Sequence, residues 1–236
     1  MQRYFVNSIN DNKFKLSDDD SYHIAKVMRM NINDLIEIVY NEKVYISKII
    51  SFNPVVAVID KELEEYNELD IKVTICQSLV KESKMDLILE KSTELGAYSF
   101  IPLIVKNSVI KVNKDFNKKI IRWQRIVKEA SEQSKRNIIP QVSDIKNIKD
   151  ICSMNYDLKI LCTVNEVSTT LKNVLQNHKN YATIIIVIGP EGGFKKDEEE
   201  YLINNGFIST SLGNLVLRTE TASISILSMI NYELER

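Results

Sequence analysis

The sequence predicts an α/β protein with a small β-rich domain at residues 1–70 and a larger domain with a parallel sheet at residues 71–236. Three observations carry this prediction. Short segments of alternating apolar and polar residues crowd the first part, whereas strand-like and helix-like segments alternate from Ile71 onward. Two loops that contain glycine each follow a strand-like segment near the end of the chain. Such alternation favours a parallel sheet, and loops at the carboxyl ends of its strands are where α/β proteins bind ligands.

The composition is ordinary for a globular protein, with 44% of the 236 residues hydrophobic and 27% charged. No apolar run approaches the roughly 18 residues of a membrane span, and the N-terminus lacks a hydrophobic signal region. The three cysteines are widely spaced without a Cys-x-x-Cys pair, and two histidines are too few for a histidine-based metal site. We therefore expect a cytoplasmic protein with reduced thiols, no membrane segment and no metal.

The net charge of −1 does not by itself suggest a nucleic-acid partner, but its distribution is uneven. Residues 1–70 carry a net charge of −5, residues 71–150 carry +7 and residues 151–236 carry −3. The positive excess lies almost wholly in 106–136, with 10 basic and 3 acidic residues. This segment is a candidate phosphate-binding patch, and a solvated helix face is the alternative.

In the first domain, the residues Asn41, Glu42 and Lys43 separate two alternating segments and predict a hairpin. A helix is expected at Asp20–Met30, and the polar stretch Lys61–Asp70 reads as a linker. The expected strands are Tyr4–Val6, Leu35–Tyr40, Val44–Ile50 and Val55–Ile59.

In the second domain, Ser83 and Asp86 have the spacing of a capping box, and Gly96 stands where a helix from there would end. The segment Asp115–Arg136 is the most amphipathic, and Trp123 lies on its apolar stripe, which favours a core position. The expected strands are Ile71–Cys76, Tyr98–Val105, Leu158–Cys162, Ile184–Ile188 and Phe207–Leu212. The remaining expected helices are Leu171–Asn177, Lys196–Asn205 and Ala222–Leu234, with Thr219 or Thr221 as the cap of the last one.

The two glycine-containing loops read IGPEGGF and LGNLVLRTETA. Glycine in such a loop allows the backbone to approach a ligand closely, and tight turns are the alternative use. Neither loop fits a dinucleotide fingerprint, because GPEGG has a proline and follows a late strand, and no phosphate-binding GxxxxGK[ST] loop occurs. The loops should converge at one end of the sheet and bring Arg218 and Glu220 with them.

These loops resemble those of the RsmE-type methyltransferases, within the SPOUT class. The segments KMDLILEKSTELGAYSFIPL, RWQRIVKEASEQSKRNIIP and HIAKVMRMNINDLIEI are also similar to motifs of that family. The resemblance implies S-adenosylmethionine as methyl donor, N3 of a uridine in 16S ribosomal RNA of the small ribosomal subunit as acceptor, and a homodimer. It also implies a SPOUT-type parallel sheet with a C-terminal trefoil knot and a PUA-like β-barrel that binds RNA. Two positions depart from the family pattern: Asn33 replaces a glycine, and Leu215 replaces an arginine.

The resemblance implies that the cofactor is held by the two loops and by the end of the strand Leu158–Cys162. The residues concerned are Cys162, Thr163, Ile188, Gly189, Pro190, Glu191, Gly192, Gly193, Leu212, Gly213, Leu217, Arg218, Thr219, Thr221 and Ala222.

RNA contacts are expected from basic and polar residues within the similar segments. They are Arg3, His23, Arg29, Lys91, Glu94, Gln133 and Arg136. An ordinary surface role is the alternative for each, and an ion pair with Glu132 is the alternative for Arg136.

For catalysis, we expect Arg218 to stabilise the anion formed when the uridine N3 loses its proton. Glu220 or Glu191 would accept that proton or orient Arg218. A structural pair of Arg218 with Glu220 is the alternative. Two other functions remain open: a SPOUT methyltransferase acting on another RNA, and a non-catalytic RNA-binding protein of ribosome assembly.

Overall fold

The computed structural model describes residues 1–108, 110, 116–178 and 181–234. The chain forms two compact units. The first unit contains residues 1–68 and the short segment 131–138, and the second contains residues 69–130 and 139–236. No helix within the described ranges is long and apolar enough to cross a membrane.

The first unit is built on a curled, six-stranded mixed sheet with the strand order β1-β4-β5-β6-β3-β2. β1 runs parallel to β4, and the other neighbours are antiparallel. Apolar side chains on the inner face, including Phe14, Ile36 and Ile38, form its core. The strands are β1 (Arg3–Phe5), β2 (Ile9–Asn10), β3 (Lys13–Lys15), β4 (Leu35–Tyr40), β5 (Lys43–Ser51) and β6 (Val56–Leu63).

Two turns of this unit use left-handed backbone. The hairpin between β4 and β5 turns at Asn41 and Glu42, whose φ values are +48° and +64°. Positive φ at both central residues matches the twist of the flanking strands. Asn33 has φ +74°, and its backbone N–H donates to the Ile49 carbonyl at 2.8 Å. The replacement of glycine by Asn33 therefore preserves the turn, because asparagine tolerates this conformation.

The helix predicted at Asp20–Met30 is wrong in its bounds. The helix α1 (Asp18–Tyr22) begins after Ser17, whose hydroxyl accepts from the backbone N–H of Asp20 at 3.1 Å. A π-helical turn at His23–Val27 follows it. The chain then leaves helical geometry at Arg29, where φ is +53°.

The segment 131–138 is fixed to the first unit by a buried acidic residue, Glu68. Its carboxylate accepts from the backbone N–H groups of Asn137 at 2.8 Å and Ile138 at 3.1 Å, and pairs with the guanidinium of Arg136. The two paired side chains are 4% and 5% exposed. The stretch Lys61–Asp70, which reads as a linker in the sequence, therefore includes the last residues of β6 and the structural carboxylate of Glu68.

The second unit is built on a parallel sheet with the order β10-β8-β7-β12-β11-β13, and β9 pairs with β8. Every pairing in this sheet is parallel. All the strand carboxyl ends therefore lie at one edge. The strands are β7 (Lys72–Ser78), β8 (Ser99–Ile104), β9 (Gln141–Val142), β10 (Lys146–Asn147), β11 (Leu158–Cys162), β12 (Thr183–Ile188) and β13 (Ile208–Thr210).

Helices cover both faces of this sheet, so its central strands are apolar on both sides. Alternate residues of β12 show this, since Ile184 and Ile186 pack with one core cluster and Ile185 and Val187 with the other. The helices are α2 (Glu82–Glu94), α3 (Phe116–Gln133), α4 (Ile148–Cys152), α5 (Leu171–Asn177), α6 (Lys196–Asn204) and α7 (Thr219–Leu234). The first cluster includes residues of α2, α3, α5 and α7, and the second includes residues of α4 and α6. Trp123 is buried against the Phe116 ring in an edge-to-face contact at 5.4 Å, which confirms its predicted core position.

The last part of the chain crosses the edge of the sheet. β13 lies at the end of the strand order, next to β11, whereas α7 packs against α2 and β12. The connection between them must pass over the carboxyl end of β11.

Several element ends differ from the predictions. The helix α2 begins at Glu82 after Lys81, so Ser83 is not its cap; Asp86 instead pairs with Arg122 of α3 through contacts of 2.7 and 2.6 Å. The helix α3 ends at Gln133, and Lys135 has φ +62°. Its predicted start, Asp115, lies outside the described residues. The short elements β2, β3, β9, β10 and α4 were not predicted, because two to five residues show no usable periodicity.

The buried pair of Glu68 and Arg136 should be a main determinant of the first unit's stability. Replacing Arg136 by methionine keeps the bulk but leaves the Glu68 carboxylate buried without its counter-ion. We expect Arg136→Met to lower the free energy of unfolding by about 3 kcal/mol or more, as measured by denaturant titration.

The matched control is Lys43→Met, which removes an exposed pair with Glu62 in the same unit. Exposed pairs contribute little, so this variant should unfold nearly like the parent. Equal effects of the two substitutions would contradict the role given to Glu68.

Candidate functional site

The candidate site lies at the carboxyl edge of the parallel sheet, where the strands β7, β11, β12 and β13 end. The glycine loop, defined as residues 189–195, follows β12, and the second loop, defined as residues 211–218, follows β13. The two loops meet at the start of α7, where the Thr219 hydroxyl donates to the Gly189 carbonyl at 2.7 Å. The predicted convergence of the two loops is therefore present in the structure.

A buried side chain of β7 underlies this meeting point. Gln77 is fully buried, and its amide nitrogen donates to the Thr219 hydroxyl at 2.9 Å. Its amide oxygen accepts from the Ser223 hydroxyl of α7 at 2.7 Å. The first turn of α7 is thus fixed to the central strands by side-chain hydrogen bonds.

The glycine loop is shaped by close contacts that restrict substitution. A Cβ on Gly189 would lie 3.0 Å from the Phe194 ring, so a side chain there would force the ring to move. Gly193 has φ +63°, and its N–H donates to the Pro190 carbonyl at 2.9 Å. The Asn107 amide donates to the carbonyls of Gly192 at 2.9 Å and Gly193 at 3.0 Å. The loop is therefore held from both sides, by Thr219 and by Asn107.

The middle of the second loop, residues 213–216, is exposed to solvent. Gly213 has φ +122°, a conformation that only glycine adopts readily. Leu215 and Val216 are each 81% exposed. Arg218 is also exposed, and it makes no side-chain hydrogen bond or ion pair within the described ranges. Its guanidinium is therefore available to an external anion.

Glu220 is paired with a lysine and not with Arg218, so the alternative of a structural Arg218–Glu220 pair is wrong. Lys84, near the start of α2, lies 3.3 Å from Glu220 Oε2 and 2.9 Å from Glu191 Oε1. Glu220 Oε2 is buried, and no hydrogen-bond partner for it lies among the described residues. Lys84 thus joins α2 to both the glycine loop and α7.

The ion pair with Glu191 shifts the pKa values of both partners. The hydrogen bond to Glu191 is the main reason that the pKa of Lys84 is raised. Partial burial acts to raise the pKa of Glu191, but the hydrogen bond from Lys84, a backbone hydrogen bond and the positive charges of Lys84 and Lys81 together outweigh it, and the pKa is lowered. Both groups therefore stay charged through the neutral range.

The predicted residues at the end of β11 are occupied by internal contacts. Cys162 is buried, which raises the pKa of its thiol to about 12. The Thr163 hydroxyl donates to Glu199 Oε1 of α6 at 2.6 Å. The single hydroxyl hydrogen of Thr163 is therefore used within the protein, and its predicted contact with the cofactor stays a prediction.

The other predicted cofactor residues all belong to the two loops or the ends of the elements beside them. Thr219 does not cap α7 as predicted, because it is the first helical residue and its hydroxyl binds Gly189. Thr221 is exposed in the first turn. Buried or half-buried positions are Ile188, Gly189, Pro190, Gly193, Leu212, Leu217 and Ala222, and exposed positions are Glu191, Gly192 and Gly213.

Two of the predicted RNA contacts are buried in the first unit. Arg3 is fully buried, and its guanidinium binds the carboxylates of Glu37 at 2.9 Å and Glu65 at 2.7 Å. Arg136 is also buried, and it pairs with Glu68. Both arginines have structural partners, so their prediction as RNA contacts is wrong for this conformation.

The remaining RNA candidates differ in exposure. Within the first unit, Arg29 and Gln133 are exposed, and the His23 ring is half-buried and contacts the Tyr4 hydroxyl at 3.0 Å. In the second unit, Lys91 pairs with Glu90 at 2.7 Å and with Glu94 at 2.8 Å. Lys91 and Glu94 lie in the last turn of α2, roughly 10 to 15 Å along the helix from Lys84 and so away from the glycine loop.

Sequence reasoning missed Gln77, Lys84, Asn107 and Ser223 as parts of the site. For Gln77 a signal exists, because a glutamine that ends the apolar segment VTIC must find buried partners. The others carry no local signal, since each acts on a segment far away in the chain. Within the described ranges, no group of three or more His, Cys, Asp or Glu residues could hold a metal ion.

Residues 67–231 match the RNA methyltransferase domain family. A ribosomal RNA small subunit methyltransferase E of Bacillus subtilis is 34% identical over 251 residues, which cover 100% of this chain and 98% of that protein. The chain belongs to the ribosomal RNA small subunit methyltransferase E family. A member from Buchnera aphidicola of the pea aphid, Acyrthosiphon pisum, is also 34% identical, over 94% of this chain and 88% of that protein.

Solved structures show the same fold. The ribosomal RNA small subunit methyltransferase E of Neisseria gonorrhoeae, crystallised with S-adenosylmethionine, has a TM-score of 0.90 and 28% identity, covering 99% of this chain and 98% of that chain. A probable rRNA methyltransferase of Porphyromonas gingivalis, at 22% identity and a TM-score of 0.81, supports the fold alone. The predicted fold class is confirmed: a SPOUT-type α/β unit together with a small PUA-like barrel.

The Lys84 ion pairs should restrain the glycine loop of this family member. We expect Lys84→Met to raise amide hydrogen exchange in residues 189–195 several-fold near neutral pH. In the parent protein, the same protection should be lost as the pH falls through the lowered pKa of Glu191, because the protonated carboxyl no longer attracts Lys84.

The control is Lys91→Met on the same helix, which also removes a lysine paired with two acidic residues. It should leave exchange in the glycine loop unchanged. Unchanged loop exchange in Lys84→Met itself would show that the ion pairs do not restrain the loop.

Proposed function

We propose that this protein transfers a methyl group from S-adenosylmethionine to N3 of a uridine in 16S ribosomal RNA of the small ribosomal subunit. The observation that carries the proposal is the closure of the glycine loop onto the start of α7 at the carboxyl edge of a parallel sheet. That edge is where α/β sheets bind ligands. Membership of the methyltransferase E family and a relative crystallised with S-adenosylmethionine support the same conclusion.

The loops fit such a cofactor in two respects. The positions that a Cβ would occupy on Gly193 and Gly213 have no atom within 4 Å, so there is open space beside both loops. The Ser78 hydroxyl at the end of β7 is buried and has no hydrogen-bond partner within the described ranges. A bound molecule with polar groups would satisfy it. When bound, S-adenosylmethionine supplies a methyl group on a positively charged sulfur, which needs orientation more than chemical activation.

The acceptor requires more help, because the N3 of uridine carries a proton and is a poor nucleophile. Arg218 is exposed and unpaired among the described residues, so it can stabilise negative charge that spreads onto O2 and O4 as the proton leaves. Glu220 Oε2 is buried without a hydrogen-bond partner among the described residues, and it lies farther from Lys84 than Glu191 Oε1 does, at 3.3 Å against 2.9 Å. This difference favours Glu220 as the group that accepts the proton.

The substrate base must be unpaired, since N3 lies on its Watson–Crick edge. Arg29 and Gln133 are the exposed residues we assign to RNA contacts. We also propose a homodimer, because the second loop and α7 expose apolar side chains that a second copy would cover. They are Leu215, Val216, Met229 and Tyr232. A cytoplasmic location follows from the proposed substrate.

The direct test incubates the purified protein with labelled S-adenosylmethionine and small subunits that lack the modification, followed by nucleoside mass spectrometry. We expect 3-methyluridine. Bound cofactor without transfer to the subunit would redirect the search to another RNA or another acceptor atom, and an absence of cofactor binding would overturn the proposal.

The role of Arg218 can be tested separately from binding. We expect Arg218→Ala to lower the turnover number by about 10²- to 10³-fold, the loss typical when a group that stabilises a developing anion is removed. Its affinity for S-adenosylmethionine, measured by calorimetry, should change only a few-fold. The control Lys172→Ala removes another exposed positive charge, from α5, and should keep full turnover. Normal turnover in Arg218→Ala would exclude the proposed role.

A further inference from the structure

Gln77 is a polar residue in an otherwise apolar strand, and all of its hydrogen-bonding groups have partners. The amide nitrogen donates to the Thr219 hydroxyl at 2.9 Å and to the Ser78 carbonyl at 3.0 Å. The amide oxygen accepts from Ser223 at 2.7 Å. An isolated polar group of this kind is costly to bury, so three well-placed partners indicate a specific role.

The hydrogen bonds form a directed relay that ends at the glycine loop. A threonine hydroxyl has one hydrogen to donate. Because the Gln77 nitrogen can only donate, the Thr219 oxygen must accept from it and must direct its own hydrogen elsewhere. That hydrogen points to the Gly189 carbonyl at 2.7 Å. The orientation of the Gln77 amide therefore determines that Thr219 donates its hydrogen to the glycine loop, where the Gly189 carbonyl accepts it.

The Ser78 carbonyl fixes the orientation of that amide, because a carbonyl only accepts and must face the amide nitrogen. The Ser223 hydroxyl lies 2.7 Å from the Gln77 oxygen and 3.0 Å from the Thr219 carbonyl, one turn earlier in α7. With the oxygen facing Ser223, the amide nitrogen faces Thr219. The relay Ser223–Gln77–Thr219–Gly189 thus joins α7, β7 and the glycine loop, and Ser223, Gln77 and Thr219 are each no more than 5% exposed.

We propose that Gln77 is a positioning residue for S-adenosylmethionine binding: it fixes the glycine loop against the start of α7 without touching the cofactor. This inference rests on the proposed function. Packing alone does not explain the residue, because a leucine of similar size would fill the space without desolvating an amide. The amide fixes the position of the start of α7 relative to the glycine loop, through the hydroxyl of Thr219.

The test compares Gln77→Leu with Thr74→Val, a control on the same strand. Thr74 is also buried, and its hydroxyl bonds to Ser99 at 2.8 Å, outside the relay. Leaving buried partners unsatisfied costs about 1–3 kcal/mol, so Gln77→Leu should raise the dissociation constant for S-adenosylmethionine about tenfold to hundredfold in calorimetry. Thr74→Val should lower the melting temperature but keep the dissociation constant within about twofold.

A second comparison separates positioning from general loss of stability. Thr219→Val removes the next member of the relay, so the double variant with Gln77→Leu should bind nearly as well as the weaker single variant. Fully additive losses, or a dissociation constant for Gln77→Leu equal to the parent's, would overturn the proposal. If Gln77→Leu does not fold, Ser223→Ala decides, with weaker cofactor binding and a circular dichroism spectrum like the parent's as the expected result. Parent protein that fails to bind S-adenosylmethionine would instead refute the proposed function.

Discussion

The hydrogen bond from Thr219 to the Gly189 carbonyl joins two segments that lie 30 residues apart, and the site depends on it. A parallel sheet places the loops after β12 and β13 at one edge but does not fix their separation. The hydrogen bonds from Gln77, in the central strand β7, to Thr219 and from Thr219 to Gly189 fix the separation of the two loops. Lys84 adds a second link, from α2 to Glu191 and Glu220. Loops that contain glycine are flexible by composition, and here their order comes from the side chains around them.

The sequence allows prediction where the signal is local. The bounds of β11 and α5, the hairpin at Asn41 and Glu42, and the two glycine loops all follow from periodicity or turn chemistry within a few residues. The relay could not be predicted in this way, because Gln77 and Thr219 are 142 residues apart and nothing in either segment identifies the other. The association of residues 131–138 with the first unit could not be predicted, for the same reason. Its bonds to Glu68 join a helix end to a stretch that looks like a linker.

The fold tolerates wide sequence change for a physical reason. A relative with 28% identity superposes with a TM-score of 0.90. Strands such as β12 are buried on both faces, and exchanges among isoleucine, valine and leucine of similar volume alter such a core little. The loops obey stricter rules, since Gly189 has the Phe194 ring 3.0 Å from its missing Cβ and Gly213 has a φ of +122°. Substitution is therefore restricted by backbone geometry at the loops more than by packing in the sheet.

Buried and ion-paired basic residues reduce the positive charge that the chain can offer to RNA phosphates. The first 70 residues carry a net charge of −5, and Arg3 is buried among carboxylates there. In the basic segment 106–136, Arg136 is buried, Arg122 forms two contacts with Asp86 and Lys119 lies 3.5 Å from Glu82. Far fewer positive charges are therefore free to neutralise phosphates than the sequence suggests. Since each neutralised phosphate adds to affinity and to its dependence on salt, this surface is poorly suited to binding RNA by charge alone. For the proposed uridine substrate, recognition must then depend more on the shape of the RNA and on contacts to unpaired bases, as the proposed acceptor atom on the Watson–Crick edge requires.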